Sequence, residues 1–381
     1  MKVLIIGVNT RSGLAMVRHL ARQGFEVIGA DHVSYPYDLR SRHIKRYYSF
    51  SCEDETGIVE QISGIVEQEK PEVLIPLKCS RELHRHRKYL DQVSRVLLPD
   101  QEAYLAADDN ARMLEQCAEL GIPAPRVLSL DDAIALIKGD EAQRVVVKPR
   151  VDVGGARGVH IVDKVPLLEK YVDRVGATFG DAIISEYVPG PPTAMRSLNL
   201  LFDRGTTLRA AFTYSKIRQW PVTGGIVGSC VSVHETQVID MVLPFFRKWN
   251  WRGPAEVEYK WDARDKVPRL IEINPRYSGN ISFALSCGIP FGVLHCQAAV
   301  GNPLPDRDAH QYRDGIKGLW FYFYLKSVLR EFGTSRSRMR LLASELAMLR
   351  RVRLDLADNL LDIAPVAGFI LKVLKDRKKT G

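Results

Sequence analysis

Several things are missing from this 381-residue chain, and each absence removes a class of protein. No apolar run approaches the ~18 residues of a membrane-spanning helix. There is no Cys-x-x-Cys pair, and none of Cys52, Cys79, Cys117, Cys230, Cys287 and Cys296 has a histidine at metal-ligand spacing. The thiols therefore read as reduced and buried. Repeats and low-complexity tracts are absent too. The opening Met-Lys-Val-Leu-Ile-Ile-Gly run is too short for a secretion signal and is followed by Asn9 and Arg11. It reads as a buried strand, and the chain as cytoplasmic. The turn after it, Gly7-Val-Asn-Thr-Arg-Ser-Gly13, lacks the middle glycine of a dinucleotide fingerprint and the Lys-Ser/Thr of a P-loop. Without that glycine the backbone cannot approach a pyrophosphate closely. This weighs against an NAD(P) oxidoreductase, although Asp31 ends the second strand, where a ribose-binding acid would stand.

What is present is an ordinary globular composition, 46% hydrophobic and 26% charged residues. Single cores stop growing near ~250–300 residues, so the length calls for two or more domains. The net charge of +9 is concentrated. Residues 306–381 hold 16 Lys/Arg against 9 Asp/Glu, a balance of +7, leaving +2 for the first 305. Such a segment fits an anionic membrane surface, a polyanionic carrier or a solvated helix face; no specific nucleic-acid partner is expected. It opens near Gly318-Leu-Trp-Phe-Tyr-Phe-Tyr-Leu325, an aromatic run that suits packing on the body more than a membrane interface.

Residues 2–6 form an apolar strand, Leu14, Val17, Leu20 and Ala21 recur at helical spacing, and residues 25–31 form a second strand. This is a β-α-β opening with a parallel, right-handed crossover. Residues 73–76 and 96–98 add strands to one Rossmann-like domain. A helix capped by Asp108 or Asp109 runs to Leu120 and stops at Gly121-Ile-Pro. Strand 144–149, the loop Val153-Gly-Gly-Ala-Arg-Gly158 and strand 159–162 make a hairpin suited to lie over a ligand. Residues 182–188 form another strand, and the pairs 197–202 with 208–214 and 255–261 with 269–274 are antiparallel by their turns. Beyond residue 305 strand signals fade, and Leu341, Leu342, Leu346 and Leu349 stand at helical spacing. The fold class is α/β followed by α+β. Domains are expected at 1–105, at 106–305 with a small lid within 125–185, and at a basic, mostly helical 306–381.

The sharpest chemical signal is Val257-Glu-Tyr259 followed by Leu270-Ile-Glu-Ile-Asn-Pro-Arg276. Alternation puts Glu272 and Asn274 on one strand face, with Glu258 on the neighbouring strand. Two carboxylates and an amide oxygen are hard ligands suited to Mg²⁺, with bound phosphates completing the shell and Arg276 as a fixed cation beside them. The same face would equally serve as the wet side of a half-exposed sheet. Lys148 ends a valine strand beside Gly154, Gly155 and Gly158, a place for a phosphate in a backbone cradle.

Taken in order, these segments resemble the ATP-grasp superfamily over residues 1–305, in the branch of carbamoyl-phosphate synthase large chains and D-alanine ligases. The resemblance rests on Leu120-Gly-Ile-Pro-Ala-Pro125, Val146-Val-Lys-Pro149, the glycine loop, Ser185-Glu-Tyr-Val-Pro-Gly190, Glu258 and Glu272-Ile-Asn-Pro-Arg276. It implies a Rossmann-like domain preceding an ATP-grasp fold. It further implies ATP with Mg²⁺, or Mn²⁺ in its place, and a carboxylate–amine ligase working through an acyl phosphate. Lys148 would contact phosphates under the Gly154–Gly158 loop. Glu186 would receive the adenine amino group, with the backbone of Tyr187 and Val188 completing the hinge. Glu258, Glu272 and Asn274 would hold metal, and Arg276 would steady the transferring phosphoryl group. Arg218, before Pro221-Val-Thr-Gly-Gly225, would bind a substrate carboxylate, or lie solvated in its loop. Partners would be a small acid and a small amine, with a homodimer as a possible assembly. Two features depart from the pattern: Asn110 stands where a lysine is usual, leaving Arg112 as a substitute, and Pro191, Pro192 and Thr193 replace an acid. A catalytically silent nucleotide-binding protein on the same fold is the alternative.

Overall fold

The computed structural model describes residues 1–32, 41–51, 55–140, 143–151, 153, 156–221, 225–304, 309, 311–334, 339, 345 and 352–354. The N-terminal elements are β1 (Lys2–Ile6), α1 (Arg11–Arg22), β2 (Glu26–His32), β3 (Arg46–Phe50), α2 (Glu55–Glu69), β4 (Val73–Pro76), α3 (Ser80–Arg85), α4 (Arg87–Val93) and β5 (Arg95–Val96). The strands form a parallel sheet in the order β3-β2-β1-β4-β5. A parallel sheet covered on both faces needs apolar side chains on both, hence the fully buried Val3 to Ile6 and Val73 to Ile75. Asp31 fastens the first turn: its carboxylate accepts from the Asn9 N–H at 2.8 Å and from Lys78 Nζ at 2.9 Å. The acid a ribose would need is thus spent on the protein's own turn. Thr10 Oγ1 accepts the Gly13 N–H at 2.9 Å and caps α1, which makes Arg11 its first helical residue.

Next come α5 (Gln101–Asp108), α6 (Asn110–Glu119), β6 (Val127–Leu128), α7 (Leu130–Gly139), β7 (Val145–Pro149), β8 (His160–Val162), α8 (Val165–Phe179) and β9 (Ala182–Glu186). Asp109 caps α6 through the N–H groups of Ala111 and Arg112, at 3.0 and 3.1 Å. The four strands make a small antiparallel sheet, order β6-β9-β7-β8, backed by α7 and α8. Gly158, at φ +76°, turns the chain into β8; a Cβ there would stand 2.7 Å from the Phe179 ring.

The remainder is a larger sheet, order β14-β13-β10-β11-β12-β15-β16. Its elements are β10 (Met195–Phe202), β11 (Leu208–Trp220), β12 (Ile226–Ser232), α9 (Thr236–Lys248), β13 (Gly253–Trp261), β14 (Pro268–Asn274), α10 (Ile281–Cys287), α11 (Phe291–Val300), β15 (Lys317–Leu319), α12 (Phe321–Thr334) and β16 (Val352–Leu354). Parallel first and antiparallel after, the two halves are the α/β and α+β expected. In the C-terminal segment α12 is a helix as expected, while two strands that were not expected, β15 and β16, extend the sheet, each only three residues long and too short to show an alternation. Its aromatic run packs on the body through the buried Tyr324. The Leu341–Leu349 stripe, Arg336, Arg338, Arg340, Arg350, Arg351 and residues 375–379 lie outside the described residues. Among the described residues no single helix is long and apolar enough to cross a membrane.

One buried cluster runs from Val3, Ile5, Met16 and Leu20 to Phe283, Phe291 and Leu294, joining the N-terminal sheet to the central one. Gly292 of α11 makes the crossing with α1 possible, since a Cβ there would sit 2.6 Å from Met16 Sδ. The crossing carries Arg11 over the loop between β14 and α10, where Gly279 lies beneath its guanidinium.

Candidate functional site

A cavity of about 680 Å³ lies between the small sheet and the central one. Its floor is the β13–β14 pair, where the register sets Glu258 opposite Glu272 and Glu256 opposite Asn274. Strand alternation then brings all four side chains to one face. Asn274 Nδ2 donates to Glu272 Oε1 at 2.7 Å, and Arg276 Nη2 donates to Asn274 Oδ1 at 2.9 Å. Glu272, Asn274 and Arg276 therefore form one hydrogen-bonded row, and Glu258 stands opposite Glu272 on the neighbouring strand.

Two residues of this floor were not anticipated. Glu256 is buried, accepts from Ser197 Oγ at 2.7 Å and lies 3.5 Å from Arg276 Nη1. Burial, then the neighbouring Glu258 charge, raises its pKa above the usual carboxylate value, with Arg276, Ser278 and Ser197 opposing. It stands two residues before Glu258, so alternation alone would have found it. Lys216 comes from β11, two strands from β13, and its Nζ reaches Glu258 Oε1 at 3.1 Å. The intervening β10 presents Ser197 opposite both Glu258 and Tyr214, a side chain small enough to leave the passage open. Burial works against the Lys216 ammonium, but Glu258, then Glu256 and Glu272, outweigh it and raise its pKa.

The donor set fits Mg²⁺ in chemistry, carboxylate and amide oxygens on one face. Among the described residues no group of three His, Cys, Asp or Glu makes a metal cage by itself.

The opposite wall belongs to β7 and β9. Lys148 is buried, and its Nζ donates to Asn110 Oδ1 at 2.7 Å and to the Ile271 carbonyl at 3.3 Å. Asn110 Nδ2 donates in turn to the Pro149 carbonyl at 3.2 Å. The asparagine that departs from the usual lysine thus grips Lys148. Arg112 is turned elsewhere, pairing with Glu102 at 3.0 Å. Gly154 and Gly155 lie outside the described residues; Gly158 closes the loop.

Glu186, Tyr187 and Val188 line the same cavity. The Glu186 carboxylate is held by Arg126, at 2.7 Å from Nε and 2.6 Å from Nη2. Lys260 Nζ donates to the Val188 carbonyl at 2.9 Å and lies 5.0 Å over the Tyr187 ring. Burial lowers the Lys260 pKa, against the pull of Asp262.

Arg218 lies within β11 rather than in a loop, and it is not among the lining residues. Its Nε donates to Glu345 Oε1 at 3.1 Å, and its terminal nitrogens pair with Glu331 and Glu345 of the C-terminal segment. Register shifts on both sides of Arg218 explain this placement. A bulge breaks the alternation, so that Lys216 and then Gln219 line the cavity while Arg218 faces away.

The chain matches no protein-family model. Over 219 residues it is 22% identical to a D-aspartate ligase of Enterococcus faecium (strain Aus0004), covering 53% of this chain and 51% of that one. It thus spans about half the length of the curated relative it matches. A biotin carboxylase from Campylobacter jejuni, described as a beta-gamma-ATP complex, superposes with a TM-score of 0.68 at 16% identity, over 83% of this chain and 74% of that one. An L-amino acid ligase from Bacillus licheniformis gives 0.62 at 15%, over 83% and 78%. N5-carboxyaminoimidazole synthetase from Staphylococcus aureus, complexed with ADP, gives 0.60 at 15%, over 80% and 78%. The chain has the ATP-grasp fold that its motifs imply.

Proposed function

We propose that this chain is an ATP-dependent carboxylate–amine ligase whose reaction passes through an acyl phosphate. One observation carries the reading. Lys148 from one wall and Glu258, Glu272, Asn274 and Arg276 from the other line a single cleft that Glu186, Tyr187 and Val188 line as well. A triphosphate needs that pairing of fixed cation, hard oxygen ligands and flat hinge. The relatives that superpose on this fold include ligases, and two are described in complex with nucleotides.

A carboxylate resists attack because its carbonyl carbon is electron-rich and its oxygen leaves poorly. In the proposed reaction a carboxylate oxygen attacks the γ-phosphorus of ATP and the bond to the bridging oxygen breaks, releasing ADP. An amine then attacks the acyl carbon, phosphate leaves, and the nitrogen loses a proton. Glu258, Glu272 and Asn274 would hold Mg²⁺, which neutralises phosphate charge when bound. Lys148 and Arg276 supply fixed positive charge from opposite sides of the cleft. Glu186 keeps free lone pairs beside Arg126 and would accept the adenine amino group. The glycine loop ending at Gly158 would exclude water from the intermediate.

The test is phosphate release from ATP and Mg²⁺ with pools of acids and amines. The matched relative's name makes D-aspartate the first acid to supply. Release should depend on both substrates and fall at least ~100-fold in Glu272→Ala and Asn274→Ala. Wild-type rates in both variants would remove the site assignment. Tight ATP binding without turnover on any pair would favour a nucleotide-binding protein instead.

A further inference from the structure

Among the described residues four acids line the cavity, Glu186, Glu256, Glu258 and Glu272, and only Glu256 has no task in the reaction proposed above. Its carboxylate is held by hydroxyls from two different elements. Ser197 Oγ, on β10, donates to Oε1 at 2.7 Å, and Ser278, in the loop after β14, bonds to the carboxylate as well. Ser278 is itself fixed, because its Oγ accepts the Asn280 N–H at 3.1 Å. A hydroxyl that accepts there keeps its own proton to give to the acid. The second oxygen, Oε2, lies 3.5 Å from Arg276 Nη1.

That contact completes a three-point grip on Arg276. Nη2 donates to Asn274 Oδ1 at 2.9 Å, Nη1 donates to the Tyr277 carbonyl at 3.3 Å, and Glu256 supplies the opposite charge. The Arg276 side chain is 32% exposed and that of Glu256 only 7%. The cation therefore meets the cavity, and the acid is covered beside it. The two neutral contacts are not equivalent to the ionic one. Asn274 Oδ1 is also expected to face Mg²⁺, and a cation on that oxygen repels a second one. With metal bound, the grip on Arg276 falls more heavily on Glu256.

We propose that Glu256 is the positioning residue of Arg276, holding the guanidinium in place for the transferring phosphoryl group while touching neither nucleotide nor substrate itself. The inference rests on the role given to Arg276 in the ligase reading. A cation stabilises moving charge without a cost of reorganisation only when it is in place before the charge moves. Loss of Glu256 is therefore felt in the transition state and not in the binding of the nucleotide.

The experiment is calorimetric titration of the full chain with ADP and Mg²⁺, with and without fluoroaluminate, a stand-in for the transferring phosphoryl group. It needs neither acid nor amine, so its outcome does not depend on turnover. Fluoroaluminate should tighten ADP binding to the wild type. Glu256→Gln should weaken binding in its presence roughly 10- to 100-fold, with affinity for ADP alone and the Mg²⁺ requirement unchanged. Glutamine has the same shape and keeps an acceptor for Ser197, so the change removes the charge that faces Arg276. In an Arg276→Met background Glu256→Gln should cost nothing further, because the acid acts through the arginine. If Glu256→Gln does not fold, Ser197→Ala, which removes one bond to the carboxylate, is read in its place, with a several-fold loss expected. The proposal is overturned if fluoroaluminate adds nothing to wild-type affinity or if the variant binds it as the wild type does. It is equally overturned if the Mg²⁺ requirement rises instead, which would make Glu256 a metal ligand, or if the full loss persists without Arg276. The expected fluoroaluminate result, with no phosphate release on any acid and amine pair, would overturn the ligase reading and leave the positioning role standing.

Discussion

Lys148 Nζ lies 2.7 Å from Asn110 Oδ1 and 3.3 Å from the Ile271 carbonyl, tying the lid strand β7 to the start of α6 and to β14. This pair of acceptors fixes where the ammonium points. Removing the amide oxygen frees a buried cation to rotate away from the place proposed for the ATP phosphates. Asn110→Ala should raise the KM for ATP roughly tenfold, while Asn110→Asp, which keeps an acceptor, should raise it less. Steady-state kinetics at varied ATP checks this; equal KM in Asn110→Ala and wild type would contradict it.

Lys216 answers for three carboxylates, Glu256, Glu258 and Glu272, which all raise its pKa. Lys216→Met leaves them to repel one another. Glu258 is 24% exposed, so part of that repulsion is screened by solvent. The expected loss is about 1–3 kcal/mol, below the cost of breaking a fully buried pair. Added Mg²⁺ should restore part of it. Denaturant titration with and without Mg²⁺ measures both effects, and a variant as stable as wild type in metal-free buffer would refute the assignment.

His295 in α11 is fully buried, its Nδ1 is 3.1 Å from the Tyr277 hydroxyl, and its Nε2 has no partner. Burial, then Arg204, holds its pKa down at about 3. Burial is also the leading reason that His84 and His19 are held at about 4. The unfolded imidazole titrates near ~6.5. Above that pH the neutral rings cost nothing. As the pH falls from 6.5, the unfolded chain takes up protons that the folded one refuses. Stability then drops by up to ~1.4 kcal/mol per pH unit for each such group until its folded pKa is reached. Denaturation midpoints should fall between pH 6.5 and 5, and His295→Gln should flatten the slope. An unchanged slope would show that His295 takes no part.

Gly158 combines a φ of +76° with a Cβ position 2.7 Å from the Phe179 ring. Gly158→Ala should cost about 1–3 kcal/mol locally and weaken closure of the loop over ATP. Faster amide exchange in β8 and a raised KM for ATP are the expected readouts.

Much of this site was legible from order along the chain. Alternation placed Glu272 and Asn274 together, and the hairpin placed Glu258 opposite them. The same rule reaches Glu256. Lys216 was hidden because its contact depends on β10 inserting between β13 and β11, a pairing order that no local pattern encodes. Arg218 was expected in a loop before Pro221; it lies instead within β11, where a bulge turns it away from the cavity. Arg11 and Trp320 are 309 positions apart and meet only because α1 packs on α10 and α11. The strands β15 and β16 were missed because three residues are too few for a period.

The central claim is an acyl phosphate formed in this cleft, and hydroxylamine trapping tests it most directly. With ATP, Mg²⁺ and the acid, hydroxylamine in place of the amine should yield a hydroxamate in step with ADP. The yield should be lost in Glu272→Ala and Arg276→Met. ADP without hydroxamate, or AMP and pyrophosphate in place of ADP and phosphate, would contradict the account.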